Sequence, residues 1–162
     1  MKTEIGEYIV GAYLQLEEKC DLVCYNEKPK REGLKGLGEL DVIGLRFSDS
    51  TVFICEVVTH LGGLNYDNRR ITSFEKILNK HKMQRKYAGQ HFSKFEKRFQ
   101  LWSPRIRAGL LNELIKIEGL EIIANDEYTK RIDGLNNLAE KNTKDYSNPF
   151  FRTLQIFKHL KR

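Results

Sequence analysis

The run Val52-Phe53-Ile54-Cys55-Glu56-Val57-Val58 constrains this chain more than any other feature. β-branched and aromatic residues favour an extended strand, and successive side chains of a strand point to opposite faces. Both faces of this run are apolar, so it predicts a central strand covered on both sides. Glu56 is the exception within it. A carboxylate taken into such surroundings is costly unless it is paired, protonated or bound to a cation.

The rest of the chain supplies the layers that such a strand needs. Ile5, Ile9, Ala12, Tyr13 and Leu16 recur at three- and four-residue steps and predict an amphipathic helix over about 4–19. DLVCYN (21–26) reads as a short strand, and EKPKREGLKGLG (27–38) as a basic loop or hairpin arm. GELDVIGLRF (38–47) and STVFICEVVTH (50–60) are strands joined by a polar turn at Ser48-Asp49-Ser50. Beyond Gly62 and Gly63, a helix is expected over 71–88, continuing or restarting through 91–98, and FQLWS (99–103) is a fourth strand. Pro104 suits the first turn of a helix running to about Ile117. Leu120–Ala124 is a fifth strand, 126–141 is helical, and Asn148-Pro149 opens a last helix. The expected architecture is an α/β sheet of mixed strand directions, its first three strands an antiparallel meander and the later ones arriving by helical crossovers.

Composition narrows the classes. A chain of 162 residues is one domain's length, with no repeat, low-complexity tract or long linker. No apolar run reaches the roughly 18 residues a membrane helix needs, which excludes a membrane-spanning helix. The three cysteines, Cys20, Cys24 and Cys55, form neither a disulfide framework nor a metal-ligand spacing, and they favour a cytoplasmic location. The net charge of +6 is uneven. Residues 1–68 carry a net −5, residues 69–98 a net +8 and residues 99–162 a net +3. A concentrated basic stretch beside an acidic half points to a polyanion such as DNA. The alternative is a solvated, lysine-rich helix face.

The acids have a pattern of their own. Glu39 and Asp41 share one face of their strand, and Glu56 lies on the neighbouring strand. Buried carboxylates on adjacent strands repel, and a divalent cation with oxygen ligands, Mg²⁺ or Mn²⁺, relieves the repulsion. The competing reading gives each acid a hydrogen bond or an arginine and no further role.

The sequence GELDVI (38–43), followed by an apolar strand ending in CEVVTH (55–60), resembles the core of PD-(D/E)XK nucleases, particularly the small Holliday-junction-resolvase-like and restriction-endonuclease-like members. GEYIVGA, carrying Glu7, is similar to their first helix, and the likeness extends over about 5–103 in the order αβββαβ. The resemblance implies a restriction-endonuclease-like core with C-terminal helices added, and Mg²⁺-dependent hydrolysis of DNA phosphodiester bonds. It implies Asp41 and Glu56 as metal ligands, with Glu7 or Glu39 as an outer acid. Restriction, defence and recombination are the roles this class suggests.

One position departs from the pattern. The family's lysine, two residues after the glutamate, falls at Val58. Lys76, Lys80 and Gln84 follow at four-residue steps on one face of the next helix, so a lysine relocated to that helix is one reading. A nuclease fold that has lost catalysis, serving as a nucleic-acid-binding or assembly module, is the other. His60 shares Glu56's face but lies about 13 Å further along at ~3.3 Å per residue. For DNA contact the candidates are Lys30, Arg31 and Lys35 in the basic loop, with Arg69, Arg70, Lys82, Arg85 and Lys86 from the basic stretch. No base-reading motif is present, so phosphate contact and DNA shape are expected to dominate. Cys55 reads as a buried apolar thiol. The last helix, with Phe151, Leu154, Phe157 and Leu160, reads as core packing, with homodimerisation as the alternative.

Overall fold

A computed structural model describes residues 2–29, 38–66 and 68–160 of the chain. Its centre is a sheet whose five strands lie side by side in chain order. These are β1 (Leu22–Glu27), β2 (Leu40–Arg46), β3 (Thr51–Val57), β4 (Glu96–Ser103) and β5 (Leu120–Ala124). β1, β2 and β3 form an antiparallel meander, while β4 and β5 run parallel to β3. The apolar run is therefore the middle strand, and the direction of pairing changes across it.

Helices cover both faces, which is why β3 is apolar on both sides. On one face α2 (Arg70–His91) and α3 (Ala108–Leu114) pack over Ile43, Val52, Ile54, Val58 and Leu101. On the other, α1 (Ile5–Leu16) and α4 (Asn125–Lys141) cover Val42, Phe53, Cys55, Trp102 and Ile123. α5 (Pro149–His159) seats Phe151 against Ala12, Leu16, Leu135 and Ala139. This is the expected α/β arrangement, a mixed sheet flanked by helices.

α1 approaches the sheet more closely than an ordinary side chain allows. A Cβ on Gly6 would fall 2.1 Å from the Thr59 side chain, and one on Gly11 would collide with the Tyr25 hydroxyl. The two glycines let the first turn of α1, and Glu7 with it, settle against the sheet.

Two expectations are corrected. The stretch 91–98 does not continue the helix: α2 ends at His91 and β4 starts at Glu96. Pairing of Glu96–Arg98 with Thr51–Phe53 overrides the helical pattern of the local sequence. Pro104 does not begin a helix either, since α3 starts only at Ala108. The Asn125 side chain accepts from Ile106 N–H at 2.9 Å and donates to Ile106 C=O at 3.0 Å, holding the connection in a non-helical path. No helix among the described residues is long and apolar enough to cross a membrane.

Candidate functional site

The register of β2 against β3 brings the two acids together. Val42 stands opposite Cys55, so Asp41 stands opposite Glu56 one step on, both on the face covered by α2. Both are buried, Asp41 8% and Glu56 7% exposed. Asp41 Oδ2 accepts the Val57 N–H at 2.8 Å, which anchors its carboxylate at the end of β3.

α2 supplies the cation. Its inward stripe runs Ser73, Ile77, Lys80, Gln84, at the three- and four-residue steps that keep side chains on one face. Lys80 Nζ lies 2.6 Å from the Glu56 carboxylate and 3.8 Å from Asp41 Oδ1. Gln84, almost fully buried, donates from Nε2 to Glu56 Oε2 at 3.4 Å. Val58 cannot take the lysine's place. It is packed in the apolar core, its N–H donating to the Trp102 carbonyl at 2.9 Å.

The electrostatics follow from burial. Desolvation, then the like charge of Asp41, pushes Glu56 up to about 8 despite the opposing pull of Lys80. Asp41 is also raised, chiefly by burial, with Lys80 and the Val57 N–H opposing. Burial alone would lower the Lys80 ammonium, but Glu56 and Asp41 outweigh it and raise it. Two acids reluctant to ionise and one firmly charged lysine thus share one pocket of low dielectric.

Glu7 and Glu39 belong to the same electrostatic neighbourhood, since both act on Asp41. Glu7 is held by hydrogen bonds from Glu4 N–H at 2.9 Å and from Asn26 Nδ2 at 2.8 Å. Glu39 Oε2 is a buried acceptor with no hydrogen-bond partner among the described residues. Among those residues no three His, Cys, Asp or Glu side chains converge as a ready-made metal group. What is present is a facing pair of carboxylates, with Glu39 further out and felt by Asp41 through its charge. Mg²⁺ commonly takes one or two carboxylates and completes its shell with water and phosphate, so the donors fit that ion.

The other predicted residues are dispersed. Lys76 is exposed, with Nζ 4.8 Å above the centre of the Tyr66 ring. His60 is exposed in the turn beyond β3, its carbonyl accepting the Gly63 N–H. Arg69 and Arg70 are exposed at the start of α2, and Arg70 Nε lies 3.5 Å from Glu113. Lys82 and Arg85 line the apolar groove between α2 and α3 with Phe74 and Leu78. At 100° per residue, Lys82 projects about 200° around the helix from Lys80. Lys86 is exposed on the same helix, and Lys30, Arg31 and Lys35 lie outside the described residues. The basic stretch is therefore not one surface: Lys97 and Arg98 pair with Val52 and Phe53, at the far end of the strand that carries Glu56.

Cys55 faces α1, away from Glu56. It is fully buried, and burial pushes its thiol well up. Tyr66 is not signalled by any sequence pattern. Burial, and then Glu56, raises the Tyr66 phenol, which places the ring within the field of the acid pair. Its backbone N–H donates to Ser73 Oγ at 2.8 Å, a link from the end of the connection to the first turn of α2 that no local periodicity signals. No protein-family model, curated protein or solved structure matches this chain.

Proposed function

We propose that the chain is a Mg²⁺-dependent deoxyribonuclease of the PD-(D/E)XK type, with a restriction-endonuclease-like core. The observation that carries this reading is the cluster of Asp41 and Glu56, on adjacent central strands, with Lys80 from the following helix. Its chemistry suits phosphodiester hydrolysis, which needs an activated water, neutralised phosphate charge and a stabilised leaving oxygen.

Asp41 and Glu56 would hold the metal, and Mg²⁺ or Mn²⁺ bound there supplies Lewis acidity and lowers the pKa of water. The Val57 N–H fixes Asp41, and Gln84 orients Glu56, so both carboxylates are positioned before a substrate arrives. Lys80, 2.6 Å from Glu56, would do the work of the motif lysine that position 58 lacks. Its ammonium is oriented by the two acids and is available to a water or a phosphate oxygen beside them. Glu39, with its unsatisfied oxygen, is the outer acid better suited to a second contact, since Glu7 is already committed to Glu4 and Asn26.

Purified protein incubated with plasmid and branched DNA in Mg²⁺ or Mn²⁺ should cleave, and Asp41→Ala and Glu56→Ala should not. Cleavage equal in those variants and the parent protein would exclude this site as its source. The alternative is a non-catalytic DNA-binding or assembly module, favoured by the buried Val58 and by the Lys80 hydrogen bond that already satisfies Glu56. It predicts metal-independent DNA binding that survives Glu56→Ala, with no cleavage.

A further inference from the structure

Two connections meet at the carboxyl ends of the parallel strands, where α/β sheets commonly bind ligands. One follows β3 and the other follows β4. They are strapped together by Leu64 N–H donating to the Arg105 carbonyl at 3.0 Å, and Asn125 clamps Ile106 from α4. Between them and the first turns of α2 lies a pocket of about 340 Å³. Arg70 and Arg107 stand in its wall with Asn65 and Asn68, over Leu64 and Leu110. No acid lines it among the described residues. Glu113, 3.5 Å from Arg70 Nε, offsets one of the two positive charges. Asn65 Nδ2 donates to Asn68 Oδ1 at 3.1 Å, which leaves the Asn68 amide nitrogen as a donor.

We propose that this pocket binds a backbone phosphate of the DNA strand that crosses the Asp41–Glu56–Lys80 cluster. The inference rests on the nuclease reading and adds a specific anchor to it. Guanidinium groups match phosphate oxygens as paired donors, which a lysine does not. Placement also favours a polymer over a free anion. Ser73, on the pocket wall, is seven residues before Lys80, about 10 Å along the helix at 1.5 Å per residue. That is about three nucleotides at ~3.4 Å each. Tyr66 spans the interval, its N–H on Ser73 and its ring in the field of Glu56. A strand held at Arg70 and Arg107 thus reaches Lys80 within a few nucleotides.

The test measures binding of the full chain to a labelled duplex of about 20 base pairs, in EDTA, between about 50 and 200 mM salt. Arg70→Ala/Arg107→Ala should weaken binding about tenfold at low salt and lower the salt slope by about one to two. Lys130→Ala/Lys141→Ala, an equal charge loss on α4, should change neither. Unchanged affinity and slope in the arginine variant, or no duplex binding by the parent protein, would overturn the proposal. So would a poly-glutamate chain that competes with equal affinity and the same arginine dependence, which would indicate an acidic protein partner. Because binding is read without metal, failure of the nuclease reading shows separately, as absent cleavage in Mg²⁺.

Discussion

Lys80 touches both acids of the cluster, and its removal has two separable consequences. The carboxylates would lose their counter-charge, and a bound phosphate would lose a donor beside them. We expect Lys80→Ala to reduce the cleavage step on the order of a hundredfold, with little change in DNA affinity. Lys76→Ala should leave that step intact, because its ammonium rests over Tyr66 at the rim. Single-turnover cleavage, measured beside binding, separates the two effects. Equal losses in both variants would contradict the placement of Lys80. Sequence spacing reached this far but no further. Lys76 and Lys80 are within about 40° of each other on α2. Only the tertiary placement of α2 brings Lys80 to Glu56 and Lys76 to the Tyr66 ring.

At the level of elements, α5 shows how one amphipathic pattern divides between two environments. Phe151 is 1% exposed against α1 and α4, whereas Phe157 is 61% exposed. Phe151→Ala should cost about 3–5 kcal/mol, a typical loss for an aromatic side chain in a packed core. Phe157→Ala should stay within about 0.5 kcal/mol, as surface substitutions usually do. Denaturant titration of both variants checks the contrast, and a self-associating protein would break it by making Phe157 costly too. The helical spacing of Phe151, Leu154, Phe157 and Leu160 identified the helix but not where its burial ends. β3 was legible for the opposite reason: apolar on both faces, it had only a central position to occupy. The start of β4 was not, because its first residues are charged and become a strand only by pairing with Thr51–Phe53.

For the whole molecule, the raised acids link stability to pH. Glu56 holds its proton in the folded chain up to about 8, against an ordinary 4.5. The unfolded chain releases that proton earlier, so the folded state loses stability as pH rises from about 4.5 to 8. Asp41 acts in the same direction. Lys80, raised above its ordinary 10.5, contributes stability that fades only above that pH and does not cancel the decline. Asp49, held down to about 2 by Arg46, contributes stability that is constant over this interval and is lost only as pH falls below its ordinary 3.8. Metal-free protein should therefore melt at a lower temperature at pH 8 than at pH 5.5, and Glu56→Gln should flatten the difference. Added Mg²⁺ should raise the melting temperature most at the higher pH, where the site is readily deprotonated. Burial lowers His81 from its ordinary 6.5, which adds stability as pH rises toward that value and opposes the decline. The Glu56→Gln comparison therefore carries the test, and a variant whose pH dependence matches the parent's would mean that Glu56 is ionised throughout.

The change of strand direction at β3 has a consequence for how errors in assembly are excluded. Each edge of that strand is committed to a different kind of ladder, antiparallel on one side and parallel on the other. A slip of one residue would have to be accepted by both neighbours at once. It would also turn Glu56 from the Lys80 side to the side of Trp102, and bring Cys55 in its place. The strand that carries Glu56 is thus the one whose misplacement the sheet can least conceal. A misregistered chain would bury a bare carboxylate in an aromatic core and would be expelled from the folded population before it could bind anything.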